Sequence, residues 1–293
     1  MVIKLHIKYK TRYGQSFFIL IKNSSKANTA ASVEVKMEYL NEEFWHTSID
    51  TTELDINDTL EYSYILREDW KADETDLCNH RSINVGKLKS GTIDVFDEWQ
   101  VVPHYDNVFL SKPFELVLNK ERGKVGKKDK PKKATHHFKA FVPFLQDGKV
   151  VCITGSAKEM SNWSEEEPVL LHKSGKCWSV ALNLQKENYP VAYKFGIYDL
   201  NEKKIVFYED GSNRYLEYNP GKDKLMVYHA FPRFDQFKWQ GAGVNFPVSS
   251  LKSEKSWGVG DFTDLHLLIN WAKESGFKLI QLLPINDTTA THT

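Results

Sequence analysis

The 293-residue chain has only three cysteines, Cys78, Cys152 and Cys177, and carries no net charge. A small, odd number of irregularly spaced cysteines argues against a disulfide-built scaffold. It points to reduced thiols and a cytoplasmic setting. The chain has no signal-like apolar start and no run of roughly 18 apolar residues, so no membrane partner is expected. Its 39 basic residues are matched by 39 acidic ones, a balance that argues against nucleic acid as a partner. Metal-ligand spacing is absent too, and neither metal nor cofactor is expected.

What is abundant is the aromatic side chain, at 13% of residues with 8 Trp and 13 Tyr. Residues 1–118 are rich in β-branched and aromatic residues in short runs such as 2–9 and 16–21, separated by turn clusters. No long stretch has helical periodicity, so an all-β sandwich is expected. Residues 119–134 follow, with eight Lys or Arg against one Glu and one Asp. This Gly- and Pro-containing run reads as a solvated basic linker. The alternative is a tether for polyanions, but no aromatic residue interrupts the basic run.

Residues 135–236 form a second β-rich block, with strands expected at 137–144, 149–154, 177–184 and 191–198. The two blocks share an order of features. Each has a strand, a glycine turn and a second strand. Each then has a tryptophan strand around Trp45 or Trp178, a tyrosine strand around Tyr62 and Tyr64 or Tyr193, and a loop carrying Asn with Arg81 or Arg214. That order reads as a tandem repeat of one module. On the strand at 191–198, Val191, Tyr193, Phe195 and Ile197 share a face, so Lys194 points the other way. Trp163 lies in a very polar stretch, where an exposed ring calls for a reason. Trp178 and Tyr193 read as core.

Residues 237–293 change character. An apolar strand is expected at 244–248, and Asp261 or Thr263 is placed to cap a helix. Leu265, Leu268, Ile269 and Ala272 have the spacing of one buried helix face, and a second buried strand is expected at 277–283. Two strands joined by a helix imply a parallel pair. Asn286 and Asp287 fall just past the second strand, at the end where α/β barrels gather their active-site loops.

Two resemblances are carried by these motifs. The runs FPVSSL at 246–251, GVGDF at 258–262 and QLLPINDT at 281–288 resemble the start of the 4-α-glucanotransferases of glycoside hydrolase family 77, the amylomaltases or disproportionating enzymes. The second block is similar to a family 20 starch-binding module. This likeness rests on TGS at 154–156, SNW at 161–163, YKF at 193–195 and YEDGSNR at 208–214. The first block is a weaker match: it has YGQ at 13–15 and EYSY at 61–64, but Ser63 stands where the lysine is expected, and Trp70 is its candidate ring.

The resemblances imply a mainly β chain: two β-sandwich starch-binding modules followed by the first βαβ unit of a (β/α)8 barrel. They imply glucan binding by Trp163, Lys194, Tyr208 and Asn213. Flat rings would cover the apolar faces of an α-glucan while Lys and Asn hydrogen-bond its hydroxyl edges. Asp261, Asn286 and Asp287 are candidate rim or subsite residues. The implied partners are maltose, malto-oligosaccharides, and glycogen or starch. The implied activity is retaining transfer of α-1,4-glucan segments or glucose, using two carboxylates. A (β/α)8 barrel takes roughly 250 residues, whereas 53 follow position 240. The carboxylates are therefore expected on strands that the chain lacks, and no catalytic residue is assigned. The chain itself is expected to bind glucan without transfer. The alternative is a non-catalytic starch- or glycogen-binding protein.

Overall fold

A computed structural model describes residues 1–22, 32–54, 56, 58–76, 81–86, 91–100, 133–142, 145–174, 177–222, 224–234 and 241–283. The chain divides into two compact units, Met1–Gln236 and Phe237–Thr293. Of the expected linker at 119–134, all but Lys133 and Ala134 lies outside the described residues.

The first unit is built from short strands with period-two burial. Its first block contains β1 (Val2–Lys8), β2 (Gln15–Lys22), β3 (Ser32–Lys36), β4 (Glu38–Tyr39), β5 (Phe44–Asp50), β6 (Thr59–Glu68), β7 (Glu74–Thr75), β8 (Arg81–Asn84) and β9 (Thr92–Glu98). The second contains β10 (His136–Phe141), β11 (Lys149–Gly155), β12 (Val169–Leu170), β13 (His172–Ser174), β14 (Cys177–Leu182), β15 (Val191–Asp199), β16 (Lys204–Tyr208), β17 (Arg214–Leu216) and β18 (Lys224–Ala230). On β1, Ile3, Leu5 and Ile7 are buried while Lys4 and Lys8 are exposed, as alternation along a pleated strand requires. On β10 the same rule buries His136, Phe138 and Ala140.

The pairing repeats. Strand β1 runs antiparallel to β5 and parallel to β9, and β10 runs antiparallel to β14 and parallel to β18. The facing sheets match as well. One has the order β3-β2-β6-β7 with β8 on β6, and the other β12-β11-β15-β16 with β17 on β15. Each block is thus a two-sheet sandwich with its own apolar core.

The two sandwiches meet by strand addition. β9 pairs with β18 in parallel, with Phe96 opposite Tyr228 and Asp97 opposite His229, giving one eight-stranded sheet across both blocks. Strand β18 serves both cores: Leu225 and Val227 pack into the first, and Tyr228 and Ala230 into the second. Successive residues of a strand point to opposite faces, so the sandwiches lie on opposite sides of their shared sheet. A stacked aromatic row crosses five strands and records this geometry. His46 and His6 are 6.1 Å apart between ring centroids, His6 and Phe96 4.7 Å, Phe96 and Tyr228 5.2 Å, and Tyr228 and Phe138 5.3 Å. The row starts on the outer face of the first sandwich and ends in the core of the second.

A buried polar network closes the seam. The Tyr62 and Tyr64 hydroxyls donate to the Asp97 carboxylate at 3.0 and 2.6 Å, and His229 Nδ1 meets the same carboxylate from β18. Arg81 lies 3.5 Å from Asp97, binds Asp76 at 2.5 Å and donates to the Glu98 carbonyl at 3.0 Å. Arg214 grips Glu209 with two nitrogens and also pairs with the Glu98 side chain. Arg81 and Arg214 begin the equivalent strands β8 and β17, so the repeat's arginine serves the junction twice.

In the second unit, β19 (Gly243–Phe246) lies parallel to β20 (Leu279–Leu282), and α1 (Leu265–Glu274) falls between them in sequence. The first strand is shorter than expected. Val248–Ser250 turns into a 3-10 segment after Pro247 instead of continuing the strand. The N-cap position is held by Asp264, not by Asp261 or Thr263, and its side chain bonds no helix amide. Its carboxylate accepts from Ser253 Oγ at 2.5 Å, Ser256 Oγ at 2.9 Å and the Asp261 amide at 3.0 Å. Leu268 and Ala272 are buried as expected, but Ile269 is 51% exposed. β20 alternates between exposed and half-buried instead of being buried throughout. Within this unit, two strands and one helix cover only part of each apolar face.

Candidate glucan-binding site

The face of the second block's smaller sheet opposite Tyr193 and Phe195 carries Lys194 and Tyr208, two of the residues singled out by sequence. Directly opposed residues of antiparallel strands share a face. Leu170, Cys152, Gly196 and Tyr208 form one such row across β12, β11, β15 and β16, and Thr154 and Lys194 form the next. Lys194 and Tyr208 therefore lie on the same face, away from Val191, Tyr193, Phe195 and Ile197, all of which are buried. Gly196 is buried, and its surroundings leave no room for a side chain. A Cβ there would lie 3.0 Å from Ile205 and 3.1 Å from Cys152 Sγ.

Trp163 ends the 3-10 segment Lys158–Trp163 and is 36% exposed. Three successive residues, Ser161, Asn162 and Trp163, have φ of 64°, 47° and 64°. For Ser and Trp, left-handed backbone costs on the order of 1 kcal/mol per residue. The surroundings impose this conformation. Met160 is fully buried, and Thr154 Oγ1 donates to its carbonyl at 3.3 Å. The Asn162 amide donates to Ala157 O at 3.2 Å, and the Ser164 amide to Ser161 O at 2.9 Å. Gly155 admits Met160, since a Cβ at Gly155 would lie 2.9 Å from the Met160 sulfur and 2.5 Å from Ala192 O.

Tyr208, also 36% exposed, donates to Glu165 at 3.2 Å, which ties it to the loop just after Trp163. Burial and the Glu165 carboxylate push its phenol up to about 12, so the hydroxyl stays protonated at neutral pH. The Ile205 amide donates to Glu165 O and the Tyr198 hydroxyl to Glu166 O, fastening the same loop onto β15 and β16. Lys194 Nζ donates to Gly211 O at 2.7 Å and braces the loop that carries Asn213, which is exposed. Beneath, buried Glu209 accepts from the Phe195 amide at 2.9 Å and from Arg214. Glu165, Glu209 and the Gly211 carbonyl were not foreseen from sequence. The EDG run beside Tyr208 contains Glu209 and Gly211, and Glu165 lies in the polar stretch after Trp163.

Trp178 and Tyr193 are buried, in line with their core reading. In the first block, Ser63 is buried, while Trp70 stands fully exposed with φ of 69°. In the second unit, Asp261 is exposed and its carboxylate accepts from the Thr263 amide at 2.6 Å, a local turn before the helix. Asn286 and Asp287 lie outside the described residues. Among the described residues no His, Cys, Asp and Glu cluster suits a metal ion, and no helix is long and apolar enough to cross a membrane.

Comparison with known proteins finds likenesses in parts of both units. Residues 134–225 match the family model described as "Starch binding domain", and residues 246–293 match that described as "4-alpha-glucanotransferase". Among individual relatives, 4-alpha-glucanotransferase DPE2 of Oryza sativa subsp. japonica is 28% identical across 99% of this chain, which spans 32% of that protein. A 4-alpha-glucanotransferase of Chlamydia pneumoniae is 48% identical over 46 residues, which make up 16% of this chain and 9% of that protein. Among solved structures, the family 20 carbohydrate-binding module of the maltotetraose-forming amylase from Pseudomonas saccharophila STB07 aligns at 20% identity. That alignment covers 32% of this chain and 97% of the module, with a TM-score of 0.27. The chain thus spans about a third of the length of the rice relative.

Proposed function

We propose that the chain is the glucan-binding part of a 4-α-glucanotransferase, with α-glucan held on the outer face of the second sandwich. The observation that carries this reading is that Lys194 and Tyr208 share one sheet face, with the loop after Trp163 tied to Tyr208 through Glu165. Trp163 and Tyr208 would stack on apolar sugar faces, and Lys194 and Asn213 would bind hydroxyl edges. The strained backbone at Trp163 supports this, because left-handed positions persist where the surroundings enforce them and cluster at ligand sites.

The whole protein would transfer α-1,4-glucan segments or glucose from maltose or malto-oligosaccharides to glycogen- or starch-like acceptors, in the cytoplasm. The mechanism would be retaining. A carboxylate forms a glycosyl-enzyme, a second carboxyl acts as acid and then base, and an acceptor sugar takes the place of water. The second unit would be the opening of the (β/α)8 barrel, with Asp261, Asn286 and Asp287 at its rim. The two carboxylates would lie on later strands, so this chain would bind glucan without transferring it.

The test is calorimetric titration of the purified chain with maltoheptaose, alongside a glucose-release assay on maltotriose. Binding that weakens about tenfold in Trp163→Ala, roughly the 1.4 kcal/mol of one lost ring–sugar contact, with no glucose release, is the expected result. No binding by the unaltered chain refutes the binding role. Glucose release refutes the division of labour.

A further inference from the structure

A second surface is created only by the joining of the two sandwiches. Between the outer face of the first and the β16–β17 loop of the second lies a cleft of about 610 Å³, within the roughly 300–1,000 Å³ range of small-molecule sites. Its floor is aromatic. Phe96, held in the stacked row, meets Phe44 edge-on at 6.3 Å, and Lys8 sits over Phe44 at 5.9 Å. Its other wall carries Tyr215 and Tyr218, 55% and 44% exposed, with Ser212 and Asn213 beside them.

The charges in the cleft are largely spoken for. Glu98 and Glu209 are held by Arg214, Asp97 by His229 and two tyrosines, and Glu43 by Lys8 at 3.9 Å. Carboxylates outnumber cations on its walls, which disfavours an anionic ligand. Aromatic surface together with hydroxyl and amide groups suits a neutral ligand with apolar faces and polar edges. The loop that lines the cleft is the one Lys194 braces through Gly211 O.

We propose that this cleft is a further subsite for a neutral gluco-oligosaccharide, built jointly by both sandwiches. It rests on the reading of the chain as an α-glucan binder and adds a site that neither sandwich forms alone. The test is calorimetric titration of the full chain with maltoheptaose, in the unaltered protein and in a Trp163→Ala background. Residual binding is expected to persist after Trp163→Ala, and to weaken about fivefold when Tyr215→Ala is added, on the scale of one aromatic contact. Lys8→Met, from the first sandwich, is expected to weaken the same residual binding. Loss of all binding in Trp163→Ala, or residual binding that neither Tyr215→Ala nor Lys8→Met alters, overturns the cleft and leaves the Trp163 site standing. No binding by the unaltered chain sinks both readings.

Discussion

Asp97→Asn tests the seam between the sandwiches most directly. The native carboxylate is fully buried and receives the Tyr62 and Tyr64 hydroxyls from β6 and His229 from β18, with Arg81 at 3.5 Å. Burial alone would raise its pKa, yet His229, Arg81 and the Tyr64 hydroxyl bring it below the ordinary carboxylate value. The group is therefore ionised in the fold. Asparagine keeps the shape but removes the charge, and turns an NH2 toward groups that donate. Arg81 keeps Asp76 but loses half of its carboxylate neighbourhood. Removing one partner from a buried ionic network costs about 3–5 kcal/mol; with the shape retained, the lower end applies, about 3 kcal/mol. That is a large share of the roughly 5–15 kcal/mol by which a domain is stable. The assay is urea denaturation combined with hydrogen exchange. Stability is expected to fall by about 3 kcal/mol, and protection to fall first at the amides of β9 and β18, because the His229–Asp97 contact crosses that pair. A change under about 1 kcal/mol, or loss of protection away from the seam, refutes the account of how the sandwiches are joined.

Three further outcomes follow from local geometry. Gly155→Ala places a Cβ 2.5 Å from the Ala192 carbonyl and 2.9 Å from Met160. It is expected to cost about 2 kcal/mol and to weaken maltoheptaose binding by shifting the Trp163 segment; unaltered melting and binding would contradict that packing. Burial lowers His136 from 6.5 to about 4, so the fold holds it neutral while the unfolded chain protonates below pH 6.5. Stability is then lost as pH falls from 6.5 to about 4, by roughly 3 kcal/mol in total, and His136→Gln should flatten that part of the urea-derived profile. Lys194→Met removes the bond to Gly211 O. Looser exchange at residues 209–214 is expected together with weaker glucan binding, whereas weaker binding over an unchanged loop would show that the lysine serves only the ligand.

The sequence by itself determined the strands and their faces. Alternation on β1 and β15 marks Ile3, Leu5, Ile7, Tyr193 and Phe195 as core and sets Lys194 on the other side, because a pleated strand leaves no third choice. It also exposed Trp163 as a ring without an apolar setting, and ordered the repeat that reappears as matched sheet topologies. It could not reach the helix face at Ile269 or the strand end at Val248, because periodicity says which side is apolar and not whether anything covers it. Only the tertiary structure decided which edges meet. His229 reaches Asp97 across 132 residues and Arg214 reaches Glu98 across 116, and no local pattern specifies pairing at that range. The parallel docking of β9 on β18 turns two like modules into one sheet and puts Lys8 and Tyr215 on the same cleft. It makes of the repeat's arginine, first seen as a loop feature, the residue that locks the joint.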